Sequence, residues 1–171
     1  MITLADLNRL DRDAFIATLA DIFEHSPWVA EEAFPRRPFA SITDLHAAMV
    51  GAVTNAAAER QLTLLRAHPE LAGKAAVQGT LTDHSTSEQG GSGLLNCSPD
   101  EFARLQELNR AYGQRFGFPF IIAVRGLDRA GIIAAFAQRL ENTRDEEMAE
   151  ALRQVAKIGR LRLDALIEKT A

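Results

Sequence analysis

A single cysteine, Cys97, has no second thiol in the chain to pair with, which excludes an internal disulfide framework and fits a reducing compartment. Runs of lysine or arginine are missing too. With 19 basic against 23 acidic residues the net charge is −4, so no basic field exists to collect phosphate backbones and nucleic acid is not an expected partner. No apolar stretch approaches the roughly 18 residues of a membrane-spanning helix, and no membrane association is expected. The opening "MITLADLNRLDRDAF" carries acidic residues where a secretory signal needs a basic and then an apolar stretch. The closing "IEKTA" lacks a Ser-Lys-Leu type of address, and together they predict a cytoplasmic location. Glycine-rich nucleotide signatures do not occur, no two of the four histidines stand four apart, and Cys97 has no companion ligand, so no metal site is expected.

What is present reads as a globular all-α chain. Of its 171 residues, 47% are hydrophobic and 25% charged, a balance that supports one domain over residues 1–171 with a real core. In "SPDEFARLQELNRAYGQRFG" Ser98 can cap, Pro99 suits the first helical position and Glu101 closes a capping box. Phe102, Leu105, Leu108, Tyr112 and Phe116 then step along one face until Gly117. "NTRDEEMAEALRQVAKIGRLRLDALIEK" repeats the scheme, with Thr143 and Glu146 as the box. Its stripe runs through Met148, Leu152, Val155, Ile158 or Gly159, Arg162 or Leu163, and Leu166, which makes it the longest helix and the C-terminal one. Further helices are predicted over 12–23, 27–33, 42–67 with a break near Asn55, and 128–140. The fold class is therefore a single-domain helical bundle. "FPFIIAV" is too short and solitary for a sheet and predicts an extended segment near 119–124, while "VQGTLTDHSTSEQGGSGLLNCS" predicts a long loop.

Three stretches could carry chemistry. In "RAHPELAGKAA" a residue before proline is pushed out of the α region, so the helix should stop at Ala67 with His68 beyond its last carbonyls. The negative helix end favours imidazolium by about 0.3–1 kcal/mol, which suits a general acid; the plain alternative is a histidine that closes a helix. In "HSTSEQGGSG", Ser85, Glu88 and Gln89 set a hydroxyl, a carboxylate and an amide beside backbone that can approach a small polar ligand, or they form a solvated connector. In "FGFPFIIAVRG" extended backbone must find partners for its N–H and C=O groups, and a planar ureido or imidazole ligand matches them; a buried apolar connector is the other reading. His25, His46 and His84 weigh less, and nothing lowers the pKa of Cys97 to make it a nucleophile.

Taken in order, "FEHSPWVAE", "HPELAGK", "SxxEQ" at 85–89, "LNRAYGQRFGFPFIIAVRG" and "IGRLRL" resemble the 2-oxo-4-hydroxy-4-carboxy-5-ureidoimidazoline (OHCU) decarboxylases of urate degradation. The resemblance implies an all-α enzyme without cofactors that converts OHCU to (S)-allantoin and carbon dioxide, commonly as a homodimer. It also implies roles. His68 and Glu88 match the catalytic histidine and carboxylate, while Pro69, Ser85, Gln89, the backbone of Phe120, Ile121, Ile122, Ala123 and Val124, and Arg160 match ligand-binding positions. Two rival readings are a non-catalytic helical binding module, built on "FPRRPFAS" and the C-terminal helix, and a metal-dependent hydrolase using His68, His84 and Glu88.

Overall fold

The computed structural model describes residues 1–73, 76 and 78–168. Lys74 of "HPELAGK", Val77 of the expected loop and Lys169 at the end of the expected last helix lie outside the described residues. Among the described residues the α-helices are α1 (Leu4–Arg9), α2 (Arg12–Leu19), α3 (Trp28–Ala33), α4 (Ile42–Thr54), α5 (Ala58–Arg66), α6 (Asp83–Gly91), α7 (Pro99–Phe116), α8 (Arg129–Arg139) and α9 (Arg144–Leu166). Strand-like pairing among them is limited to one isolated parallel bridge between Ile2 and Ile167. No helix among them is long and apolar enough to cross a membrane. The chain divides into two compact units, one formed by Met1–Ala67 with the stretch from Ala156, the other by His68–Val155.

In the first unit α1 and α2 are capped by Thr3 and Asp11, whose side chains accept from the backbone N–H of Asp6 and Ala14. Composition gave no sign of α1, a six-residue helix. α2 also stops earlier than its periodicity predicts: residues 20–25 form turns that still bury Ile22 and Phe23, and Arg162 braces them by donating to the Asp21 carbonyl (2.9 Å) and to the Glu24 carboxylate (2.7 Å). The Arg162–Glu24 pair is almost fully buried. The break near Asn55 is real, with α4 ending at Thr54 and α5 starting at Ala58. "FPRRPFAS" turns inward. Phe34 meets Phe15 edge-on at 5.5 Å, Phe39 is buried, and Arg37 donates to the carbonyls of Asn8 and Leu10. Pro35, Pro38 and Ala40 stay exposed along its outer edge.

The second unit is built on an aromatic cluster. Tyr112, Phe116, Phe118, Phe120 and Phe136 are all buried, with Phe120 and Phe136 stacked at 3.9 Å and Tyr112 edge-on to its neighbours. The Ser98–Glu101 capping box starts α7 as expected, and Gly117 ends it at φ 79°, a left-handed conformation that glycine adopts without the Cβ penalty. Phe102 departs from the expected stripe: it is exposed and borders a hollow of about 280 Å³ shared with Leu94, Leu95 and Cys97. In α9 the Thr143–Glu146 box is present, but the first fully buried positions are Glu147 and Ala151 rather than Met148 and Leu152. The helix is turned because Glu147 is drawn inside by Tyr112 and Arg139.

Candidate active site

Helix α5 ends at Arg66 and Ala67 closes it, its N–H reaching back to the carbonyls of Thr63 and Leu64, so the stop predicted before the His-Pro pair is where the helix ends. His68 follows and is buried; Pro69 is half-buried. The chain then folds into a tight loop. Gly73 N–H returns to the Glu70 carbonyl at 3.3 Å, and Ala72 holds φ 47°, a left-handed conformation that costs an alanine about 1–2 kcal/mol.

The stretch expected to be a long loop contains helix α6, and that is the main correction to the sequence reading. Thr82 caps it by accepting from Ser85 N–H at 3.3 Å. It lacks any apolar stripe, which is why periodicity missed it. Its inner face is polar: Ser85, Glu88 and Gln89 stand at i, i+3 and i+4, a spacing that puts all three on one side of a helix. Ser85 and Gln89 are buried and Glu88 is half-buried. That spacing, after a Thr cap, was the available signal.

Gln89 joins α6 to the loop. Its Oε1 accepts from Ala72 N–H at 2.9 Å and its Nε2 donates to the Glu70 carbonyl at 3.4 Å. Two residues of α7 hold the same loop from another side: Gln106 Nε2 donates to the Ala72 carbonyl at 2.8 Å, and Asn109 Nδ2 to the Leu71 carbonyl at 3.0 Å. The segment after His68–Pro69 is thus pinned by carboxamides from the helix that carries Glu88 and from α7. Sequence reasoning missed Gln106 and Asn109. The available signal was Asn109, a polar residue on the buried face between Leu105 and Tyr112.

Close packing makes this loop intolerant of added bulk. A Cβ at Gly73 would lie 2.6 Å from Glu70 Cβ and 3.2 Å from the Glu70 carbonyl oxygen. Gly73→Ala is therefore expected to displace the loop and cost about 1–3 kcal/mol of stability while the helices persist, as measured by urea midpoints and far-ultraviolet circular dichroism. An unchanged midpoint would refute the tight fit.

The 119–124 segment is irregular, and its backbone is held from inside the unit. Arg139 Nη1 donates to the Ile121 carbonyl at 2.6 Å and lays its guanidinium 4.5 Å from the Phe120 ring centre; Ala123 N–H donates to Gln154 Oε1 at 3.0 Å. Phe120, Ile121, Ala123 and Val124 are buried and Ile122 half-buried. Gln154 is steadied by Glu150. Burial works against that carboxylate's charge, but hydrogen bonds from Gln154 and Arg153 outweigh it and hold its pKa below the ordinary value.

Arg160 belongs to the first unit, where Nε donates to Asp164 at 3.1 Å and Nη1 to the Thr43 hydroxyl at 3.1 Å. His46 Nε2 lies 2.7 Å from the Ala156 carbonyl, and His25 sits in a turn at φ 47°. The Cys97 thiol is raised above its ordinary pKa by burial first and by Glu101 next, the wrong direction for a nucleophile. Among the described residues no three His, Cys, Asp or Glu side chains gather to hold a metal ion, and His68, His84 and Glu88 are among those described.

Solved structures with the same helical arrangement set the class. The crystal structure of an (S)-allantoin synthase superposes with a TM-score of 0.76 at 33% identity, covering 98% of this chain and 54% of that one. A crystal structure of OHCU decarboxylase in the presence of (S)-allantoin superposes at 0.72 over 89% of this chain and 99% of that one; at 23% identity it speaks for the fold. The chain is thus of the all-α class these enzymes share. The family profile for OHCU decarboxylase matches residues 8–164. The 2-oxo-4-hydroxy-4-carboxy-5-ureidoimidazoline decarboxylase of Haloferax volcanii is 43% identical over 162 residues, 95% of this chain and 94% of that protein. That of Mus musculus is 37% identical over 96% and 92%. A uric acid degradation bifunctional protein of Bacillus subtilis is 42% identical over 99% of this chain and 34% of its own length. The chain belongs to the OHCU decarboxylase family.

Proposed function

We propose that this chain decarboxylates OHCU to (S)-allantoin and carbon dioxide without a cofactor, as one domain over residues 1–171, as a homodimer and in the cytoplasm. OHCU carries its carboxylate on C4, next to the C=N bond at C5. When carbon dioxide leaves, the bonding pair becomes a C4=C5 double bond and the adjacent ring nitrogen takes up a proton. The resulting enol then loses its hydroxyl proton to become the C4 carbonyl as C5 is protonated. The substrate is its own electron sink, and what remains for the protein is geometry and protons.

Geometry comes first. The breaking bond must stand perpendicular to the ring π system, so a site that fixes the planar ring and turns the carboxylate out of plane favours that conformer. Pro69, Ser85, Gln89 and the 120–124 backbone are assigned to the ring and ureido group. Ile121 C=O and Ala123 N–H are engaged by Arg139 and Gln154, so the part of the assignment that falls on this backbone goes first to Ile122, which lies between them. Arg160 is assigned to positioning an oxygen of the ring or ureido group. A grip on the departing carboxylate would stabilise the ground state and slow the step.

Protons fall to His68 and Glu88. His68 moves the proton at the 4-hydroxyl end and Glu88 fixes its tautomer. The observation that carries this reading is Gln89. It stands on the Glu88-bearing face of α6 and its amide is bonded to the backbone two and four residues beyond His68. The test couples purified protein to urate oxidase and hydroxyisourate hydrolase and follows circular dichroism. Optically active allantoin forming faster than the spontaneous background is expected; racemic allantoin at the background rate would end the reading.

A further inference from the structure

Two costly features meet in the loop behind His68. Ala72 keeps a left-handed backbone at φ 47° although it is not glycine, and the Asn109 Oδ1 is buried without a hydrogen-bond partner among the described residues. Turning the Asn109 amide over would set its oxygen against the Leu71 carbonyl that its Nδ2 now satisfies at 3.0 Å, so the unmet acceptor follows from holding that carbonyl. A glycine at 72 would relax the backbone, whereas a leucine at 109 would remove the unmet Oδ1 only by leaving the Leu71 carbonyl without its donor, so the Asn109 cost is bound to the loop it holds. Local cost kept next to a reactive group is the pattern of a pre-organised site.

We propose that Asn109 and Gln106 are positioning residues for the decarboxylation. Each donates to a backbone carbonyl, Leu71 and Ala72 respectively, and so fixes the stretch that sets the direction of His68 through the rigid Pro69. Gln89, which holds the N–H side of the Leu71–Ala72 peptide whose carbonyl Asn109 holds, and the Glu70 carbonyl before it, ties that direction to the helix carrying Glu88. The two α7 amides thereby define the separation of the imidazole and the carboxylate without touching substrate. A misplacement of about 1 Å at such a pair is worth up to about a hundredfold in rate.

This inference rests on the decarboxylase reading, and the experiment separates the two. Asn109→Leu, Gln106→Leu and Ala72→Gly are assayed with OHCU generated in situ, recording kcat, KM, the optical purity of the allantoin and the melting temperature. Asn109→Leu and Gln106→Leu are expected to lower kcat about tenfold or more with KM changed by no more than about twofold. Ala72→Gly is expected to melt at or above the wild-type temperature and still turn over more slowly. Normal kcat in both leucine variants overturns the inference, as does a loss that follows the melting temperature with kcat and KM moving together. Should Asn109→Leu fail to fold, Gln106→Leu, which lies at a half-buried position, decides by the same criteria. A wild-type protein that yields racemic allantoin at the background rate removes the decarboxylase reading itself, and this inference with it.

Discussion

His68→Asn is expected to lower kcat by about 10²–10⁴, the range that a positioned general acid or base contributes, while substrate binding changes little. Glu88→Gln keeps shape and hydrogen bonding but removes the charge, and is expected to lose on the order of 10². The decisive measurement is the double variant. If the imidazole and carboxylate act as one unit, removing the second partner costs little once the first is gone, so the double variant should match His68→Asn rather than show the product of the two losses. Multiplying effects would mean that the two groups work independently. Near-normal formation of optically active allantoin in both single variants would remove them from the chemistry.

The second large effect concerns the core of the same unit. Glu147 is fully buried and accepts from Tyr112 Oη at 2.5 Å, Arg139 Nε at 2.7 Å and Asn142 Nδ2 at 2.8 Å, with Arg139 Nη2 also against it. Tyr112 is pushed well above its ordinary pKa, by burial first and then by the hydrogen bond and charge of Glu147, so it remains a donor at any working pH. Glu147→Ala leaves the Arg139 guanidinium buried without its counter-charge, a loss of about 3–5 kcal/mol. For a chain of this size that corresponds to a fall in melting temperature of roughly 10 °C or more. Arg139 also holds the Ile121 carbonyl, so surviving Glu147→Ala protein should show a raised KM. Glu147→Met combined with Arg139→Met removes both charges together and is expected to be more stable than Glu147→Ala alone, as read from urea midpoints. Equal stability of Glu147→Ala and wild type would show that the network contributes nothing.

Much of this molecule is legible in its sequence where local rules agree with one another. The Ser98–Glu101 and Thr143–Glu146 boxes, the stop at Gly117 and the break at Asn55 each combine a capping residue with an apolar period, and each lies where those rules put it. What could not be read depends on partners far along the chain. Glu147 sits on the buried face because Tyr112, 35 positions away, and Arg139 wait for it, and nothing in the 3.6-residue period announces such a meeting. Helix α6 escaped for a related reason: its buried residues are Ser85 and Gln89, and polar burial leaves no hydrophobic trace. Of the candidate site, His68 and Glu88 were singled out through their motifs. The amides of Gln106 and Asn109 that brace the intervening loop became visible once the backbone they hold was in place.

The division between an apolar cluster and a hydrogen-bonded helix sets how each part of the unit tolerates change. The stacked rings of Phe120 and Phe136 are held by contact area, which accepts apolar replacements of similar volume, whereas the Gln89 carboxamide engages an N–H with its oxygen and a carbonyl with its nitrogen, so neither a carboxylate nor an aliphatic side chain could take its place.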